Sequence, residues 1–212
     1  MGLKLNAAQG GGSVELNVPE IVNSDVELTL PSGVGTAGQV LQNSATPGTL
    51  EFGGPFSRFV LTNQSMVGQA SMNVAVANTA NRVVVTTANS SVGGANGAHS
   101  LRVRVGGADV TAGYTWNMMY FSTSANTVVQ STTDFKAVGT AVVNIENTRW
   151  VLEHSGGNIW TCHLTGSIDS AGTIYSVSGS GSVSLNGPLD GISMSSTGGA
   201  FDAGRLNVIA EG

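Results

Sequence analysis

The chain has 212 residues, a formal net charge of −5 and a charged fraction of only 10%, against ~25% in an ordinary soluble domain. Eight Lys and Arg over that length make no basic stripe for a phosphate backbone and no basic amphipathic segment for a membrane surface. Hydrophobic residues still reach 41%, and 30 glycines stand beside abundant Ser, Thr, Asn and Val, so the chain is a poor helix former that nevertheless has a core to bury.

The opening residues, Met1 to Asn6, lack the apolar stretch of a signal peptide, and no apolar run is long enough for a spanning helix. The expectation is synthesis in a cytoplasm without secretion. Val14, Leu16 and Val18 then alternate with Glu15 and Asn17, and Val26, Leu28 and Leu30 alternate with Glu27 and Thr29. Period two predicts strands with one buried and one wet face. Gly10 to Gly12, Pro31-Ser32-Gly33 and Gly35 to Gly38 punctuate them as turns, and Val40 and Leu41 follow. Two short strands bury too little to stand alone. Residues 1–54, ending at Gly53-Gly54 before Pro55, therefore predict an arm that packs on something else.

Residues 55–212 read as a series of strands. They fall at 56–61, around Val74 and Val76, at 82–85, and at Leu101, Val103 and Val105 alternating with Arg102 and Arg104. The aromatic-rich run 114–121 comes next. Residues 150–154 and 159–164 predict a hairpin about 155–158. Residues 174–177 and 183–185 flank Ser178-Gly179-Ser180-Gly181, which reads as a turn. Ile192, Met194 and 206–209 complete the set. The expected fold is all-β, an antiparallel, jelly-roll-like β-sandwich with a small N-terminal β-arm.

The residue types that carry chemistry are sparse. His99 is expected in a Gly/Asn-rich loop with residues 93–98, His154 ends a strand, and His163 shares a strand face with Thr161 and Thr165. Their spacing matches no metal-ligand pattern, so solvated histidines are expected and neither metal nor cofactor is. The lone Cys162 falls on the face opposite His163, which predicts a buried, inert thiol rather than a nucleophile. No carboxylate pair is singled out for glycoside chemistry, although Asp190 and Asp202 are candidates to meet. Arg102 and Arg104 form a cationic pair on one strand face that has acidic partners or water to face. Tyr114, Trp116 and Tyr120 share a strand face, with Asn117 beside them. They are the best ligand-binding candidates, weighed against a plain core role.

Two stretches carry a resemblance. The arm reads Gly12-Ser13-Val14-Glu15-Leu16-Asn17-Val18-Pro19, then Thr29-Leu30-Pro31, then Gly35-Thr36-Ala37-Gly38-Gln39-Val40-Leu41. It resembles a segment of tail-fibre and other virion structural proteins of tailed bacteriophages. The C-terminal stretch, with Leu189-Asp190 and Phe201-Asp202-Ala203-Gly204, is similar to the end of the β-sandwich domain displayed on such proteins. It departs from that pattern at Gly191, where Arg is frequent, and at Ala210, where an aromatic is common. The resemblance implies a non-catalytic homotrimer on the virion surface, attached to other virion proteins through the arm residues Val14, Leu16, Val18, Val26, Leu28, Leu30, Val40 and Leu41. It implies a fibre or receptor-binding protein that contacts a host-surface glycan or protein. The alternatives are a capsid decoration protein and, further off, a capsule-degrading depolymerase. Nucleic acid and membrane insertion are not expected.

Overall fold

Alternating apolar residues in a Gly-, Ser- and Thr-rich chain have one efficient way to satisfy their backbone groups, which is an antiparallel ladder. The computed structural model describes residues 3–6, 13–16, 29–33, 40–44, 46, 49–53, 58–92, 97–121, 126–138, 144–170 and 172–212. It divides into two compact units, Met1–Pro55 and Phe56–Gly212.

The first unit holds two hairpins. Strands β1 (Leu3–Asn6) and β2 (Ser13–Leu16) pair with Leu3 opposite Leu16 and Leu5 opposite Val14. Strands β3 (Val40–Asn43) and β4 (Leu50–Gly53) pair with Leu41 opposite Phe52. An isolated parallel bridge joins Thr29 to Thr49, where the Leu50 amide donates to the Thr29 carbonyl at 2.8 Å. Leu30 and Leu41 are exposed. Of the expected arm residues, Val18, Val26 and Leu28 lie outside the described residues.

The second unit is an antiparallel β-sandwich. Its strands are β5 (Arg58–Ser65), β6 (Ser71–Ala75), β7 (Arg82–Val92), β8 (Ala98–Val105), β9 (Ala108–Asp109) and β10 (Tyr114–Phe121). There follow β11 (Asn126–Ser131), β12 (Phe135–Val138), β13 (Asn144–Gly156), β14 (Ile159–Ser170), β15 (Thr173–Ser184), β16 (Gly191–Ser196) and β17 (Phe201–Glu211). One sheet has eight strands in the order β11-β10-β15-β14-β13-β7-β17-β5. The other runs β12-β8-β16-β6, with β9 paired to β8. Rings meet across the gap. Phe135 of the smaller sheet packs edge-on against Tyr114 and Trp116 of the larger, with centroids at 4.9 and 5.2 Å. Trp116 stacks on Trp150 at 5.9 Å.

The hairpin of β13 and β14 lies where the sequence predicts it. Its turn is tighter than expected, with Gly156 and Gly157 at φ 103° and 58°, conformations that glycine adopts at little cost. The expected turn at 178–181 is instead the middle of the continuous strand β15. Gly179 and Gly181 are there for close approach. A Cβ on Gly179 would lie 2.5 Å from a Trp116 ring carbon. One on Gly181 would collide with the Thr115 carbonyl oxygen of β10.

Candidate functional site

Strand β10 alternates strictly between buried and exposed positions, and its inward set decides the fate of the aromatic stripe. Tyr114, Trp116 and Tyr120 are only 2%, 3% and 6% exposed. These rings are core, not a ligand surface. The Trp116 Nε1–H donates to the Lys136 carbonyl at 2.9 Å. The Tyr114 oxygen accepts from the Val103 amide at 3.0 Å, and burial pushes its phenol well above the usual range. Period two was correctly read here. Which face pointed inward depends on pairing between β10 and β15 and on Phe135 arriving from another sheet, and no local pattern encodes either.

The outward set of β10 and its neighbours forms the candidate interaction surface. Ser176, Ser178 and Ser180 of β15 stand beside Phe121, Met119 and Asn117 of β10 in register. Val128 and Gln130 of β11 continue the row beyond Met119 and Asn117. On the other side of β15 lie Ser167, Thr165 and His163 of β14. The surface is mostly hydroxyl and amide, with an apolar corner: Ile174, Val128, Met119 and Phe121 are 69%, 53%, 45% and 41% exposed. Asn117, Met119, His163, Ser178 and Ser180 line a shallow open depression on it. Strand β11, at the sheet edge, reads Asn-Thr-Val-Val-Gln-Ser. It carries none of the charges or prolines that usually blunt an edge.

The charged residues of the smaller sheet form local pairs, and on the larger sheet Arg82 pairs with Glu153 at 3.6 Å and Glu211 at 3.3 Å. Arg104 Nε meets Asp109 Oδ1 at 3.1 Å. Buried Asp134 collects Ser100 Oγ at 2.5 Å, Ser131 Oγ, Lys136 Nζ at 3.8 Å and Arg102 Nη2 at 3.9 Å. The arginine pair thus answers acids within its own sheet. Asp190 and Asp202 are engaged separately, Asp190 accepting from the Gly107 amide at 2.9 Å and Asp202 from the Ser91 hydroxyl. Cys162 is buried, and burial raises its thiol, which keeps it protonated and unreactive.

His99 departs most from expectation. It is the second residue of β8 and fully buried, not a solvated loop residue. Its Nδ1 meets Oε2 of Glu146, which is also fully buried, on β13 of the opposite sheet. The two atoms lie within ion-pair reach, and the contact is charged on both sides only when the imidazole carries its second proton. The His99 ring stacks on Phe201 with centroids at 5.1 Å and planes at 12°. Phe201 opens β17, whose pairing with β7 shifts register twice between Phe201 and Arg205. The Phe-Asp-Ala-Gly stretch is therefore a bulged strand start that sets a ring over His99. Close by, Ser90 Oγ donates to the Glu146 carbonyl at 3.2 Å. Thr148 Oγ1 bonds Thr87 Oγ1 at 2.7 Å and accepts from Trp150 Nε1 at 3.0 Å. His154 and His163 are exposed, and His154 Nε2 contacts the Gly157 carbonyl at 2.6 Å. Among the described residues, no three His, Cys, Asp or Glu side chains are placed to share a metal ion.

No protein-family model matches this chain, and no curated protein does. Among solved structures, it is 13% identical to the infectious bursal disease virus Gx strain structure, covering 97% of this chain and 47% of that one with a TM-score of 0.17. It is 11% identical to the infectious bursal disease virus VP2 subviral particle, covering 81% and 45% with a TM-score of 0.14. The chain thus spans less than half the length of these structures, and overlaps this slight carry no argument about fold or function.

Proposed function

We propose that this chain is a non-catalytic structural component of a bacteriophage virion. In this reading it is a small trimeric fibre or receptor-binding protein whose arm attaches to other virion proteins and whose sandwich is displayed. The observation that carries the proposal is the outer face of the eight-stranded sheet. Across β11, β10, β15 and β14 it is poor in charge, a Ser, Thr and Asn surface with an exposed Met119, Phe121, Val128 and Ile174 corner, while Arg149, Glu153 and Arg205 lie further along the same sheet. Adaptable hydroxyl and amide groups around an apolar anchor suit wet contacts with a glycan or protein surface. The exposed Leu30 and Leu41 of the first unit support the reading of an arm that another surface covers.

The second reading is a capsid decoration protein. The apolar corner favours it equally, since cement contacts between subunits use the same chemistry. Electron microscopy of particles labelled on this chain separates the two. Label at the tail or on head projections supports the fibre reading. Label spread over the capsid lattice supports decoration. Particles that carry no label would exclude both.

A further inference from the structure

His99 and Glu146 reach each other from opposite sheets of the sandwich, and both are wholly inside it. Next to His99 in register stand Ala137 of β12 and Ser196 of β16. Next to Glu146 stand Ser90 of β7 and Ile168 of β14. Phe201 of β17 covers the imidazole. The other ionisable groups on these elements are paired elsewhere or face outward, as Arg149, Glu153, His163 and Arg205 do. Asp134, Lys136 and Arg102 are gathered together, and Asp202 is held by Ser91. His99 Nε2 and Glu146 Oε1 have no hydrogen-bond partner among the described residues. Among the described residues, each group therefore has the other as its charge partner.

We propose that His99 and Glu146 form a cross-sheet latch that holds one proton between them, and that loss of this proton above neutral pH loosens the sandwich. With one proton the pair is electrically neutral, whether that proton sits on Nδ1 or on the carboxyl. Removing it strands a lone carboxylate in an apolar interior. Adding a second strands a lone imidazolium. Either is costly to bury.

The pH window follows from counting protons on the pair as a unit. Burial raises the Glu146 carboxyl, and the charge on His99 opposes that rise. A raised carboxyl gives stability that is lost as pH rises, so the native pair keeps its proton where a free glutamate does not. In the unfolded chain, Glu titrates near about 4.3 and His near about 6.5. Between those values the unfolded pair carries one proton, as the native pair does, and stability is flat. Above about 6.5 the unfolded pair carries none, so the folding constant falls roughly tenfold per pH unit until the native pair also ionises. Below about 4.3 the unfolded pair takes a second proton and stability falls again.

The test is urea unfolding of the full chain from pH 5 to pH 9, for the wild type and for a His99→Phe/Glu146→Leu double variant. Every other titratable side chain is common to both chains, so the difference isolates the pair. The expected result is a tenfold-per-unit fall above pH 6.5 in the wild type that is absent from the double variant. Parallel profiles would overturn the proposal. Should the double variant not fold, the comparison passes to Glu146→Gln and to proton uptake on refolding at pH 8 in weak buffer. The wild type is expected to take up one proton more than Glu146→Gln, and equal uptake would overturn the latch.

Discussion

Replacing Gly179 by Ala separates a packing glycine from a turn glycine. The new methyl group would sit 2.5 and 2.7 Å from two ring carbons of Trp116, whereas ordinary contact begins at 3.4 Å. The indole must retreat by about 1 Å in a core packed to crystal density. It is held on three sides, by Trp150 at 5.9 Å, by Phe135 at 5.2 Å and by its bond to the Lys136 carbonyl at 2.9 Å. Overpacking of this kind costs ~1–3 kcal/mol, and loss of the indole hydrogen bond adds about 1 kcal/mol. The loss of unfolded-state freedom on going from Gly to Ala returns ~0.4–1 kcal/mol. The net expectation is a destabilisation of about 1–3.5 kcal/mol. It is read by urea unfolding monitored through tryptophan fluorescence and near-ultraviolet circular dichroism. Ser180→Ala, one residue along and facing outward, should stay within about 0.5 kcal/mol of wild type. If Gly179→Ala were equally mild, the close approach of β15 to Trp116 would be wrong.

Three further outcomes are expected. Tyr114→Phe leaves the buried Val103 amide without its 3.0 Å acceptor and should cost ~1–3 kcal/mol in the same unfolding assay, which shape loss alone would not explain. Cys162 should resist alkylation by iodoacetamide in the native protein up to pH 9, because the thiol is buried and kept protonated, and should react at once in urea. A Met119→Ser/Phe121→Ser double variant removes exposed apolar surface from the sheet face. Its stability should change by less than about 1 kcal/mol, while binding of the protein to its particle or to host cells weakens.

Much of the sandwich was legible because the sequence alternates wherever a strand has one wet face. Leu101, Val103 and Val105 point inward and Arg102 and Arg104 do not, as the pattern implied, and Cys162 and His163 fall on opposite faces. What the sequence left hidden depends on neighbours distant along the chain. Ser178 to Gly181 carries the composition of a turn, yet its glycines are small because β10 and Trp116 press against them. His99 adjoins a Gly-rich stretch and looks wet, yet Glu146 is 47 positions away in sequence and meets it only once two sheets close. The stripe of Tyr114, Trp116 and Tyr120 had the right periodicity, and of its two readings, core and ligand contact, burial selects core. One local signal for the buried pair was present in Phe201-Asp202-Ala203-Gly204, a stretch whose glycine permits the bulge that places a ring over His99.

The most direct test of a virion structural role is to band intact phage particles in a density gradient and quantify this chain by mass spectrometry across the fractions. The expected result is a constant ratio to the major capsid protein through the infectivity peak, at a copy number divisible by three. A chain that stays at the top of the gradient while infectious particles band below it would contradict the role outright.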